Sequence, residues 1–223
     1  MILLAISRRW FLTVLPEDFT AEFFSRAMTS ASTRTALGNS LGLAIAATAI
    51  DLLLGFAIAW LCVRKRAWGS GWLDALAMLP LAVPGIVIAF GYLGGFAGLF
   101  QKNGFVDWLL ALLSLPPETL SSLKDGLAQW FNPRVNPLPL LAMSYAVRRL
   151  PYMVRSAHAG LEQVSRVYEE AAANLGASPL RVVVRVTLPL ISANLLAGGV
   201  LCFAFSMLEV SDSLIMAQEE AHY

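Results

Sequence analysis

Residues Glu170 to Pro189 read EAAANLGASPLRVVVRVTLP, and this stretch decides how the rest of the chain is read. A short polar, charged island stands between two apolar segments. It opens with Glu-Ala-Ala, carries Gly176 four residues after the second alanine, and closes on Val186-Thr187-Leu188-Pro189. A packed soluble core has no need of that layout. A membrane protein pushed by something in the cytoplasm does.

Composition agrees. Of the 223 residues, 57% are hydrophobic and only 14% charged, where soluble domains run near a quarter charged. Mean hydropathy is +0.66. The expectation is an all-α, polytopic transmembrane helical bundle. The net charge of +1 points to no nucleic-acid partner; where the positive charges sit matters more. Cys62 and Cys202 lie in apolar runs without a partner at metal-ligand spacing, so they read as small buried hydrophobes. No catalytic or metal-binding set is expected.

Outward from the island, Leu41 to Val63 is nearly all apolar and long enough to cross a bilayer, and Arg64-Lys65-Arg66 follows at once. A basic cluster abutting a span marks the cytoplasmic side, so this helix runs inward. Trp72 to Phe100 must return outward. Pro80, Pro84 and five glycines between Gly85 and Gly98 interrupt it, which gives either a bent helix lining a pathway or a kinked packing helix. Gln101 to Pro137 reads as an outside loop, with a short interfacial helix over Phe105 to Leu115. Leu138 to about Val154 is the third crossing; its apolar part ends at Arg148-Arg149, which again mark the cytoplasm. Leu188 to Leu208 is the fourth, and Glu209 to Tyr223 lies outside. Four such crossings put Arg8 and Arg9 on the disfavoured side. The expectation is therefore one domain over 1–223, truncated at both ends, with about four complete spans.

Within the island, Leu161 to Leu175 has the spacing of one amphipathic helix. Leu161, Val164, Val167, Ala171, Ala172 and Leu175 share a face. Gly176 suits a left-handed helix end. Ser178 offers an N-cap and Pro179 stands at the first helical position of a second helix, Leu180 to Thr187. The result is an angled lever on the cytoplasmic face, or an amphipathic loop lying on the membrane.

The pattern Glu170-Ala171-Ala172, Gly176, Val186, Leu188-Pro189 resembles the EAA motif of ABC-importer permease subunits, with valine in place of the usual isoleucine. The runs at 79–85, 148–152 and 208–212 look like the ferric-iron group of these permeases, and thiamine and aminoethylphosphonate permeases are similar there. The resemblance implies a type I importer permease with a core of about six crossings. It implies that residues 156–189 dock as a coupling loop on a cytoplasmic ABC ATPase dimer. A second permease subunit, of the same or a related chain, and an extracytoplasmic solute-binding protein complete the assembly in a bacterial or archaeal inner membrane. The chain would bind no cofactor; ATP and Mg belong to the ATPase. No GxxxxGK[ST] pattern occurs here. Ferric iron is the leading substrate on this resemblance, with thiamine, aminoethylphosphonate or polyamine as alternatives.

Glu170 and Gly176 are the coupling candidates. Candidates for a translocation path are Asp51, Pro80, Pro84, Glu209 and Asp212. Asp51 is a carboxylate in mid-span, serving either a pathway or a polar contact near Thr48. Glu209 and Asp212 offer hard oxygens, or are a solvated helix terminus. An ion-coupled secondary transporter is the competing class; it requires broken helices or acids at mid-membrane in two related halves.

Overall fold

The computed structural model describes residues 7, 19–65, 69–100, 104–112, 117–132 and 135–216. Arg8, Arg9, Arg66 and residues 217–223 lie outside these. Apart from a single antiparallel bridge between Ser7 and Phe19, the ordered elements among the described residues are helical. The chain divides into two compact units, residues 1–41 and residues 42–222.

The first unit holds α1 (Glu22–Thr29), an exposed helix with an Arg26–Glu22 ion pair one turn apart, and the beginning of α2. α2 (Ala31–Trp60) is all but uncharged and ends in a wide turn with i→i+5 bonding, Leu61–Lys65. Together they make a 35-residue stretch long and apolar enough to cross a membrane. Small residues face inward along α2: Ala44, Ala47, Gly55 and Ala59 are all buried.

In the second unit, α3 (Ser70–Met78) ends in the tight turn Leu79–Ala82, and Pro84 precedes α4 (Gly85–Leu99). The two halves meet at 103°. The expected bend is there and is a near right angle, a broken span or a re-entrant loop, because Pro80 and Pro84 remove two donors within five residues. α5 (Phe105–Leu112) is a helix where a short one was expected, ending earlier than Leu115, and its Asp107 pairs with Lys124. α6 (Pro117–Phe131) stands where a loop was expected. Pro117 at its first position and Glu118 in its first turn are ordinary helix-start signals that the neighbouring prolines obscured.

α7 (Leu138–Gln163) is the central helix, 26 residues or about 39 Å long. It does not end at Arg148-Arg149, nor does Pro151 stop it. Both arginines lie in its middle, with the helix continuing unbroken through them. After a break at 164–166 come α8 (Val167–Asn174), α9 (Pro179–Val182), a second wide turn Val183–Thr187, and α10 (Leu188–Leu190). α11 (Ser192–Met207) and α12 (Ser211–Met216) complete the unit, and Ser192–Ile215 is the second stretch apolar enough to span.

α11 lies antiparallel along α7. Ser156 donates to Asn194 O at 2.6 Å near one end, and Ser144 donates to Asp212 Oδ2 at 2.5 Å near the other. Close approach needs glycine: a Cβ on Gly160 would stand 2.9 Å from Asn194 Cβ, and one on Gly198 2.8 Å from Ser156 Cβ. The core forms two apolar clusters along α7. One gathers Leu140, Leu141, Tyr145 and Ala146 with Ala47. The other gathers Met153, Ala157 and Leu161 with Ala59, Ile191, Leu195 and Cys202. Arg148 and Arg149 fall between them.

Candidate functional site

The segment expected to be the coupling loop is broken where α7 stops. Val164 is extended (φ −92°, ψ 120°), so the expected helix over 161–175 is two helices with a corner between. Nor is its apolar face a core face. Leu161 is fully buried, but Val167 is 64% exposed, Leu175 89%, and α8 buries no residue at all.

The far end of α8 folds as its sequence demands. Gly176 has φ +84°. Its N–H donates to Ala173 O at 2.9 Å, and the Ala177 N–H donates to Ala172 O at 3.1 Å. This pair of bonds is the Schellman closure, which needs a left-handed residue at that position. Ser178 occupies the N-cap of α9 in extended geometry, but its hydroxyl makes no capping bond. Pro179 takes the first helical position as expected. The second helix is not regular to Thr187; it widens at 183–187. Around this corner Glu170, Ala171, Gly176 and Pro189 are exposed, Ala172, Val186 and Leu188 half-buried, and Leu188 packs on the second apolar cluster. With Tyr168, Leu175 and Leu180 also exposed, the loop presents an uncovered apolar tip.

The neighbouring Glu169, not Glu170, turns inward. Its Oε1 receives Arg64 Nε at 2.9 Å and Thr187 Oγ1 at 3.1 Å. Arg64 Nη2 also donates to Val164 O at 2.9 Å, and Arg166 donates to Val63 O. Sequence reading assigned Arg64 only to topology and passed over Glu169 and Thr187. The signal was present in the acidic pair 169–170, of which one helix side can serve only one member.

Between the two apolar clusters lies a buried charge layer. Arg148 Nη1 reaches Glu209 Oε2 at 2.6 Å and Asp212 Oδ1 at 3.4 Å. Arg149 pairs with the same Glu209, donates to Phe205 O at 3.0 Å, and stacks over the Phe205 ring at 5.7 Å. Asp212 is fully buried, and the Glu209 side chain is 5% exposed. Neither acid is a solvated terminus. The expectation that α7's arginines and these acids lie on opposite membrane faces is corrected: α7 and α11 run antiparallel in a register that joins them. Two cations facing two carboxylates satisfy one another where lipid could not.

Asp51 is fully buried in α2, and among the described residues neither of its oxygens has a hydrogen-bond partner. Thr48 Oγ1 donates to Ala44 O at 2.7 Å and not to Asp51; the polar side chain that approaches Asp51 from another helix is the Cys202 thiol of α11. Pro80 is half-buried and Pro84 exposed at the α3–α4 break. Arg148 lies against that break, where a Cβ on Gly85 would overlap its guanidinium. Thus Glu209 and Asp212 come together, through Arg148, near the Pro84–Gly85 corner. An open apolar groove of about 410 Å³ lined by Ile88, Gly91, Tyr92, Gly95, Phe96 and Leu99 includes none of the five path candidates.

Residues 51–216 match the family described as binding-protein-dependent transport system inner membrane component. Among curated proteins, the sulfate transport system permease protein CysT of Salmonella typhimurium is 31% identical over 174 residues, 78% of this chain and 55% of its own length. The molybdenum transport system permease protein ModB of Haemophilus influenzae is 33% identical over 174 residues, 78% of this chain and 67% of its own. The ModB protein of Mycobacterium tuberculosis is 33% identical over 192 residues, 85% of this chain and 64% of its own. The chain thus spans between 55% and 67% of the length of these relatives.

Proposed function

Since this chain belongs to the family of inner-membrane components of binding-protein-dependent transport systems, we propose that it is the permease subunit of an ATP-driven importer, with the loop at 156–189 as the docking point of a cytoplasmic ATPase. The observation that carries this is the uncovered tip at α8–α9. Val167, Tyr168, Leu175 and Leu180 are exposed around a corner fixed by the left-handed Gly176. Exposed apolar surface of this kind, rimmed by Glu162, Glu170 and Arg181, is a protein-contact surface. Hydrolysis of ATP belongs to the docked partner, and delivery of solute to an extracytoplasmic binding protein. A second permease subunit completes the pathway.

The substrate proposed is a small oxyanion, sulfate or molybdate. The relatives named for sulfate and molybdenum share about a third of their residues with this chain over 174 positions. The ferric-iron expectation rests on three short runs, at 79–85, 148–152 and 208–212, and neither of those two relatives bears an iron name. The buried charge layer does not decide the matter, because its two arginines and two carboxylates balance.

Uptake measured in a strain deleted for this gene and complemented with it tests both parts. Labelled sulfate or molybdate should accumulate only in complemented cells, and only while ATP is maintained. Restoration of ferric-iron uptake alone overturns the substrate. Accumulation that follows an ion gradient after ATP depletion overturns the importer.

A further inference from the structure

The coupling helix α8 has an unusual situation. It buries no residue, and both of its ends are corners, at 164–166 and at Gly176. Its packing is thin, with Glu169 and Ala172 its two half-buried residues. What fixes it is polar: one carboxylate oxygen of Glu169 is shared between Arg64 and Thr187.

The surroundings of that oxygen show a built linkage. The Arg64 and Glu169 side chains are 7% and 15% exposed, and Thr187 is fully buried. Arg64 holds Val164 O, at the end of α7, while Arg166 reaches back to Val63 O. Two hydrogen-bonding arms therefore cross between the end of α2 and the start of the coupling loop. Arg64 and Thr187 each lie in a wide helical turn, Leu61–Lys65 and Val183–Thr187, where one extra residue is accommodated. Such turns are rare and concentrate at working positions in helices. Three elements thus meet at one oxygen: the last turn of α2, the coupling helix, and the approach to α11.

We propose that Glu169, held by Arg64 and Thr187, is the positioning residue that transmits displacement of the coupling helix to α2 and α11. This rests on the importer reading above. It assigns a division of labour within the acidic pair: Glu170 faces outward toward the partner, and Glu169 faces inward toward the bundle. Without the linkage, α8 swings on its two corners when pushed, and the spans stay where they are.

The test uses the whole complex in membranes, comparing uptake per ATP hydrolysed. Glu169→Gln should leave the ATPase bound and hydrolysing, while uptake per ATP falls by about tenfold, the scale of one charge-assisted hydrogen bond. Thr187→Val should lower it by about two- to threefold. Because an unpaired Arg64 is itself disruptive, the combined change Arg64→Met with Glu169→Leu is the decisive variant; apolar replacement of both members of a buried pair commonly preserves stability. A normal level of complex with the uptake ratio still depressed supports positioning. Recovery of the ratio along with the level shows a merely structural pair and overturns the proposal. So does a loss of uptake that tracks loss of protein in every variant. If the unaltered complex shows no ATP-dependent uptake at all, the importer reading falls first, and this inference with it.

Discussion

Two regions of this chain invert the usual distribution of polarity, and they do it in opposite directions. The charge layer places Arg148, Arg149, Glu209 and Asp212 inside a bundle, between two apolar clusters. The loop tip places Val167, Tyr168, Leu175 and Leu180 in the open. In the first region every charge named finds an opposite charge within the chain. In the second, the described residues supply nothing to cover the apolar tip. The difference separates what the fold needs for itself from what it offers. A buried charge whose partner is intramolecular serves assembly of the bundle. An exposed apolar tip on a stiff, Schellman-closed corner is where the proposed partner would dock.

The largest effect should come from breaking the layer from within. Glu209→Ala strands Arg149 and leaves Arg148 only its longer contact with Asp212, and removing one member of a buried pair costs about 3–5 kcal/mol. The expected outcome is a steep fall in protein recovered from membranes and in thermal stability in detergent. Arg149→Met combined with Glu209→Leu should recover most of it, because Arg148 keeps Asp212. Wild-type stability for Glu209→Ala alone would show that the layer is solvated, and the comparison would collapse.

A second effect tests the register that builds the layer. Gly160→Ala pushes a methyl group to 2.9 Å from Asn194 Cβ and 3.1 Å from Ile191 Cβ. Overpacking of this kind costs about 1–3 kcal/mol. It should lower thermal stability and loosen α7 from α11, seen as faster hydrogen exchange along both helices. Gly38→Ala, with nothing within 4 Å inside α2, is the control and should not destabilise, since alanine favours a helix interior over glycine.

The loop tip was far more legible in the sequence than the layer was. Gly176, Pro179 and the alanines at 171–173 act through local backbone rules, so spacing alone placed the corner correctly. The layer depends on which helices pair and in what register, and periodicity does not carry that. Arg148-Arg149 looked like a membrane boundary because isolated arginines in lipid are costly. In the folded chain they are paired: Glu209 and Asp212, some 60 residues later, lie opposite them. Glu169 was missed for the same reason. On an isolated helix it is equivalent to Glu170, and only Arg64, 105 residues earlier, distinguishes the two. The break at 164–166 was invisible because the Val164 carbonyl is claimed by that same distant arginine.

At the tip, the effects should move from stability to coupling. Gly176→Val meets nothing within 4 Å, so its cost is the left-handed backbone alone, about 1–2 kcal/mol. That is too little to stop membrane insertion but enough to reshape the corner. Normal protein levels with weakened substrate-stimulated ATPase activity are expected. Full stimulation in this variant would show that the corner's shape is immaterial.

The smallest stability effect is the most telling about the comparison. Leu175 is 89% exposed and Leu180 74%. Replacing both with serine removes almost no buried area, so the isolated chain should change stability by no more than about 0.5 kcal/mol. On the proposed reading, these leucines contribute to the contact with the ATPase. Co-purification of the ATPase should therefore fall sharply while the melting temperature of the isolated permease stays put. If the double variant holds the ATPase as firmly as the unaltered chain, the exposed leucines are ordinary surface residues. The partner's contact must then be polar, through Glu170 and Arg181 at the rim. If instead the isolated chain melts early, the tip is covered by its own protein. The distinction between a region that completes itself and one that waits for a partner would then be lost.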